Sequence, residues 1–283
     1  MNPQRFHRSQ IKFYLILLPV VAFMLLPIIY ICSTAFKPKE EMFLFPPRLL
    51  VQSPSMDNFY DLFKQSKTKV PVVRYLVNSL LVTTVVLVFS VVISSMAGFA
   101  LSKLRFRGKK FWFEVNQLAL MFVTASVAIP KYLVIDRLGL IDTIWAHILP
   151  IMAIPVGLFL IKQFVDQIPD SLIEAARIDG AHDFLVYRRV VVPLIKPALS
   201  TLAILSFQSV WANMETSQYY INIESMRTLA FYLNTFSNDT ANATIIGMGA
   251  SAAAALIMLL PNLIVFIVLQ SQMMSTVAYS GIK

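Results

Sequence analysis

The sequence predicts an all-α membrane protein with six transmembrane helices, and three observations lead there. Apolar residues make up 57% of the chain and charged ones only 14%, with a mean hydropathy of +0.69. A soluble domain carries roughly 25% charged residues and could not hide so much apolar surface, so lipid must cover it. The apolar residues fall in runs near the roughly 20 residues a helix needs to cross a bilayer. The basic residues gather on alternate connections, as they do when one membrane face is cytoplasmic.

The first span is read over residues 13–36, a charge-free run behind a basic flank of Arg5, Arg8 and Lys12. The run is too long for the apolar part of a cleavable signal peptide and lacks a small-residue cleavage site. It reads as an uncleaved helix with its basic end in the cytoplasm, kinked at Pro19 and Pro27. Residues 37–74 form a long proline-containing external connection. Within it, residues 57–63 have the pattern of a short amphipathic helix capped by Asp57. The second span, residues 75–101, thins to small residues at Ser94, Ser95, Ala97 and Gly98, which let helices approach closely. Lys103, Arg105, Arg107, Lys109 and Lys110 follow it and mark a cytoplasmic loop.

The third span is read over residues 111–129, stopped by Pro130, with a short outer loop holding Lys131, Asp136, Arg137 and Asp142. The fourth covers residues 143–161, with Trp145 at the outer interface and internal breaks at Pro150, Pro155 and Gly157. The fifth runs from 198 to about 220, the polar stretch 221–241 is external, and the sixth spans 244–269. A short cytoplasmic tail follows from residue 271. Both termini are then cytoplasmic, and nearly all of the net charge of +9 falls on that side. A basic protein can signal nucleic acid, but these charges flank spans and form no nucleic-acid-reading motif.

Residues 168–197 carry the densest local instruction. Ser171 and Glu174 have the spacing of a capping box. Leu172, Ile173 and Ala176 share an apolar face, with Glu174 and Arg177 turned to water. Gly180 stands where a helix would end in a left-handed residue. Asp183 opens a second short helix carrying Phe184, Tyr187, Arg188 and Arg189, which must stop at Pro193, and Pro197 begins the next long helix. The residues alone leave two readings: a platform on which another surface docks, or a tight loop that joins two spans.

This segment resembles the EAA loop of ATP-binding-cassette (ABC) importer permeases. Glu174-Ala175-Ala176 is followed at the family's spacing by Gly180, then by Val190, Val192 and Pro193, with valines where isoleucine and leucine are usual. The D-G-A at Asp179–Ala181 and the P-L-x-x-P-A at Pro193–Ala198 are similar to the maltose-type, carbohydrate branch. The resemblance implies a type I importer architecture with a permease domain over residues 75–270, after an N-terminal region of residues 1–74, in a bacterial cell membrane. It implies a coupling helix that sits in a groove on an ATPase, with Leu172, Glu174, Ala175, Ala176, Asp179, Gly180, Arg188, Arg189 and Pro193 as coupling residues. It also implies the partners: a second permease, two ABC ATPase subunits and an external sugar-binding protein. ATP and magnesium would sit on the ATPases, and this chain would bind no cofactor and catalyse nothing.

No G-x-x-x-x-G-K-[ST] phosphate loop is present, and His7, His147 and His182 are scattered without a metal-ligand partner at helical spacing. Cys32, the one cysteine, excludes a disulfide within the chain and reads as a packing residue. The fifth span carries Gln208, Trp211, Asn213, Glu215, Gln218 and Tyr219. Gln208, Trp211, Glu215 and Tyr219 recur every three or four residues and would line one helical face. Polar groups inside a span face a bundle interior or a watery path, and an aromatic ring among them suits an oligosaccharide. Interhelical packing is the other reading of the same residues. Two rival functions stand beside carbohydrate import: an ABC permease for a non-sugar solute, and an ion-coupled secondary transporter. The second should show paired intramembrane charges or an inverted repeat, and Glu215 is nearly alone.

Overall fold

The computed structural model describes residues 11–46, 48–64, 70–241 and 245–280, and all regular structure among them is helical. The expected basic flank at Arg5 and Arg8 and the terminal Lys283 lie outside the described residues. The helices begin with α1 (Ile11–Ala35), α2 (Lys39–Met42), α3 (Asp57–Lys64) and α4 (Val72–Lys103). Next come α5 (Lys109–Met121), α6 (Thr124–Arg137), α7 (Ile144–Ile148), α8 (Pro155–Asp166) and α9 (Asp170–Ile178). Then follow α10 (Asp183–Val186), a π-turn (Tyr187–Val191), α11 (Val192–Leu194), α12 (Lys196–Trp211) and α13 (Glu215–Tyr220). A 3₁₀ turn (Glu224–Met226), α14 (Leu229–Ala241) and α15 (Ile245–Ser280) complete the chain.

Three stretches are long and apolar enough to cross a bilayer: α1, α4 and residues Gly247–Gln270 of α15. They match the first, second and sixth spans read from the sequence. α1 passes through Pro19 and Pro27 without ending, and α15 continues helical to Ser280 where a tail was expected from residue 271.

None of the other three spans read from the sequence is a single helix. The third is two helices, α5 and α6, bent by 116°, with Pro130 inside α6 rather than at its end. The fourth is α7 and α8 separated by turns over residues 149–154, where Pro150 and Pro155 have no N–H to continue a helical ladder. Asn116 Nδ2 ties α5 to this break by donating to the Pro155 carbonyl at 3.1 Å. The fifth is α12 followed by α13, with a break at residues 212–214. Asn213 stabilises it: its Oδ1 accepts the Thr216 N–H at 3.1 Å and the Thr216 hydroxyl at 2.9 Å, satisfying a free amide in the first turn of the new helix. A second bend of 81° separates residues Asp183–Leu194 from α12. With each bent pair counted as one span, the described residues hold up to five.

The chain forms two compact units. The first comprises residues 1–67 and 233–257. In it Asn58, 1% exposed, donates to the carbonyls of Ala35 at 2.9 Å and Lys37 at 2.8 Å, so α3 caps the carbonyl end of α1. Asp57, expected as the cap of α3, is instead its first residue, and the Ser55 hydroxyl accepts its N–H at 3.1 Å.

The second unit comprises residues 68–232 and 258–283. Its core packs α4 against α8 and α12, with Phe99, Ile161, Val165, Ile195, Ala198 and Leu202 buried together. Gly98 permits this approach: a Cβ there would lie 2.6 Å from Ile161 Cγ2 and 3.3 Å from the Lys162 backbone nitrogen. Ser90 Oγ and Ser206 Oγ, 2.7 Å apart, satisfy each other between α4 and α12.

Candidate functional site

The loop after α8 is fixed from α4. Lys103 Nζ donates to the Ile168 carbonyl at 2.6 Å and to Asp170 Oδ1 at 2.7 Å. Asp170 thereby becomes the first residue of α9, where a carboxylate also favours the helix N-terminus. The Lys103 ammonium holds the Asp170 carboxyl below the usual carboxylate range. The capping box expected between Ser171 and Glu174 does not form. The helix starts two residues earlier than the box requires, Pro169 is the N-cap with no side-chain bond, and both residues are exposed.

The far end of α9 is closed as the sequence indicates. Gly180 has φ +84, in the left-handed region. The Gly180 N–H donates to the Arg177 carbonyl and the Ala181 N–H to the Ala176 carbonyl, each at 3.0 Å. This bond pair is a Schellman motif, which satisfies the last carbonyls and fixes the chain direction. Arg177 Nη2 reaches Asp183 Oδ1 at 2.8 Å across the corner. Asp183 is the first residue of α10 and His182 is its cap, its Nδ1 accepting the Leu185 N–H.

Beyond α10 the helix widens. The Val192 N–H donates to the Tyr187 carbonyl five residues back, and Arg188 and Arg189 stand exposed on this π-turn. Pro193, expected to stop the helix, lies within α11. In a regular helix its ring would strike the carbonyl four residues back, and the wider turn clears it. The Tyr187 hydroxyl meets Ser95 Oγ of α4 at 2.7 Å, and its ring packs 5.8 Å from that of Phe99.

The two faces of α9 therefore differ. Ile173, 3% exposed, enters the core of the second unit, with Ala176 packed beside it; burying such a side chain is worth about 1.5–3 kcal/mol. Leu172, 46% exposed, leaves the apolar face expected for it and joins the outer face with Glu174, Ala175 and Asp179. Ile178, 86% exposed, was not singled out from the sequence, although it follows Leu172 and Ala175 at three-residue spacing. It is the most exposed large apolar side chain of α9.

The polar residues of the fifth span do not share one helical face, because the helix ends at Trp211 and restarts at Glu215. Gln208, Glu215, Gln218 and Tyr219 are exposed. Trp211 is 4% exposed: its Nε1–H donates to the Met258 carbonyl at 3.2 Å and its ring stacks on Phe207 at 5.8 Å. Trp211 is a packing anchor in this conformation, and Asn213 bonds the first turn of α13. His147, fully buried, braces α13 by bonding Thr216 Oγ1 through Nδ1 at 2.8 Å and the Met226 carbonyl through Nε2 at 3.1 Å. Among the described residues no three His, Cys, Asp or Glu side chains converge as metal ligands.

The family described as "binding-protein-dependent transport system inner membrane component" matches residues 14–272. The chain belongs to this family. It is a multi-pass membrane permease subunit of an ABC transporter, the non-catalytic translocation component. Its relatives include the arabinooligosaccharides transport system permease protein AraQ of Halalkalibacterium halodurans, 27% identical over 91% of this chain and 90% of that protein. The probable ABC transporter permease protein YurM of Bacillus subtilis is 30% identical over 91% and 83%. The trehalose transport system permease protein SugB of Mycobacterium tuberculosis is 27% identical over 93% and 94%. A crystal structure of a bacterial ABC transporter that imports the acidic polysaccharide alginate contains a chain 25% identical to this one. It superposes with a TM-score of 0.79 over 94% of this chain and 98% of that chain.

Proposed function

We propose that this permease forms half of the path by which an ABC importer brings an oligosaccharide across the bacterial cell membrane. The support for the cargo is the family together with relatives named for arabinooligosaccharides and trehalose. The partners are a second permease, two ABC ATPases that hold ATP and magnesium, and an external sugar-binding protein; a bacterial alginate ABC transporter with a chain of similar fold is known in complex with an alginate pentasaccharide-bound periplasmic protein. Counted with its breaks, the chain crosses six times, with both termini in the cytoplasm and residues 75–270 as the permease transmembrane domain.

The observation that carries the coupling reading is the division of α9: Ile173 locked inside, Leu172, Ala175 and Ile178 outside. The outer face docks in a groove of an ATPase. The Schellman corner at Gly180 and the Lys103–Asp170 pair make α9 stiff, and its inner face shares a core with Ala198 and Leu202 of α12. Movement of the ATPases then reaches the spans, which alternate between inward-open and outward-open states. Glu174, Arg188 and Arg189 add charge to the docking surface, and Pro193 sets the turn behind it. Gln208, Glu215, Gln218 and Tyr219 contact the sugar, while Trp211 and Asn213 hold their helices in place.

Reconstitution of the full transporter in proteoliposomes tests this. Uptake of a labelled oligosaccharide should require the binding protein and ATP and should be indifferent to proton or sodium gradients. Uptake driven by an ion gradient without ATP would establish the secondary-transporter alternative instead.

A further inference from the structure

The first unit holds a cavity of about 300 Å³ that the import reading does not use. It opens where α1 changes from apolar to polar. Tyr30 is on its wall, and the polar residues Ser33 and Thr34 follow within the next turn. Thr34 is 7% exposed, and its Oγ1 has no hydrogen-bond partner although it lines the cavity. Buried hydroxyls are nearly always satisfied, so the Thr34 hydroxyl beside the cavity is a donor that a χ1 rotation can offer to a ligand there.

The charges say which kind. Lys37, 7% exposed, donates one bond to the Arg48 carbonyl, and Arg48 donates one to Gln52 Oε1. Each cation keeps further donors, and both line the cavity. The one carboxylate there, Glu41, is already occupied: its Oε1 accepts the Gln52 N–H at 2.9 Å and its Oε2 the Ser53 N–H at 3.5 Å. The charge left over is positive. The same wall carries Met42, Leu49 and Met248, flexible apolar side chains that suit an acyl chain.

We propose that this cavity binds the phosphate of a membrane glycerophospholipid, with Lys37 and Arg48 on the phosphate oxygens. Thr34 Oγ1 bonds the phosphate or an ester oxygen, and the acyl chain leaves past Leu49 and Met248. In the proposed topology Tyr30, near the outer end of α1, falls toward the bilayer interface, where aromatic residues are enriched. The proposed topology enters only to say that the outer leaflet supplies the lipid, so failure here leaves the import reading standing.

The test uses the transporter purified with its partner subunits, titrated with dioleoylphosphatidylglycerol in detergent and read by native mass spectrometry. One tight lipid adduct is expected. Lys37→Met combined with Arg48→Gln should weaken it roughly tenfold or more, the scale of one charge-assisted hydrogen bond. Thr34→Val, which keeps the size and leaves no buried hydroxyl to satisfy, should weaken the adduct while leaving thermal stability in lipid-free detergent unchanged or higher. Lys110→Met, whose side chain is 92% exposed elsewhere, should change nothing. Inorganic phosphate should fail to displace the lipid. Full lipid binding by the Thr34 and Lys37/Arg48 variants, displacement by phosphate alone, or displacement by a free oligosaccharide would each overturn the assignment.

Discussion

The last residue of α4, Lys103, and the first residue of α9, Asp170, meet at 2.7 Å. The lysine side chain is 7% exposed and the aspartate 77%, so a sheltered cation anchors an outlying carboxylate. This contact ties the proposed coupling helix to a long span that is remote in sequence. Lys103→Met should leave the protein in the membrane yet lower sugar-stimulated ATP hydrolysis, because α9 loses its fixed start. Asp170→Asn should do the same more mildly. Wild-type coupling ratios in Lys103→Met would remove this contact from the account.

The same pair sets a pH dependence. Lys103 lowers the folded pKa of Asp170, so the contribution is complete above the unfolded value and is lost as pH falls through the folded one. Coupling should therefore be insensitive to this pair from neutral pH down to about pH 4, the ordinary aspartate value, and fail only in stronger acid. Hydrogen–deuterium exchange of residues 168–174 against pH, in wild type and Asp170→Asn, reads this directly.

At Gly180 the difficulty for a side chain is the backbone alone, since an added Cβ would meet nothing within 4 Å. A left-handed φ of +84 costs an ordinary residue about 1–2 kcal/mol and a β-branched one more. Coupling should fall in the order Gly, Asn, Ala, Val at this position, with membrane levels kept. Normal transport by Gly180→Val would count heavily against a stiff corner.

Gly98 presents the opposite case, since its constraint is contact with Ile161. Gly98→Ala should lower thermal stability by about 1–3 kcal/mol through overpacking. Combining it with Ile161→Ala should recover part of that loss, a coupling visible in a double-mutant cycle. Strictly additive losses would mean that the helices separate instead of repacking.

Trp211 and Glu215 separate packing from recognition. Trp211→Phe removes the bond to the Met258 carbonyl and should destabilise by about 1 kcal/mol, with the apparent sugar affinity unchanged. Glu215→Gln and Gln208→Ala should change that affinity and leave stability alone, since both side chains are exposed. The reverse pattern would return Trp211 to the sugar path.

The sequence made the uninterrupted spans plain because a long charge-free run has one outcome in lipid, as α1 and α4 illustrate. Gly180 was equally legible, since its role is local. The break at Pro150–Pro155 was legible too, because each proline removes an N–H from a helical ladder whatever surrounds it. The breaks elsewhere were not, since hydropathy does not register that Asn213 reaches forward to the Thr216 N–H. The capping box failed for a related reason: Lys103, sixty-odd positions upstream, claims the helix start. The face of α9 that matters most also depended on tertiary packing. Leu172 and Ile173 are equally apolar in sequence, and only the neighbouring α4 and α8 determine which one is left outside.

Site-specific photo-cross-linking from α9 in the assembled, ATP-hydrolysing transporter addresses the force path most directly. A cross-linker at Ile178 or Leu172 should capture the ATPase subunit, and one at the inward-facing Ile173 should not. An active transporter in which neither outer position reaches the ATPase would contradict the account.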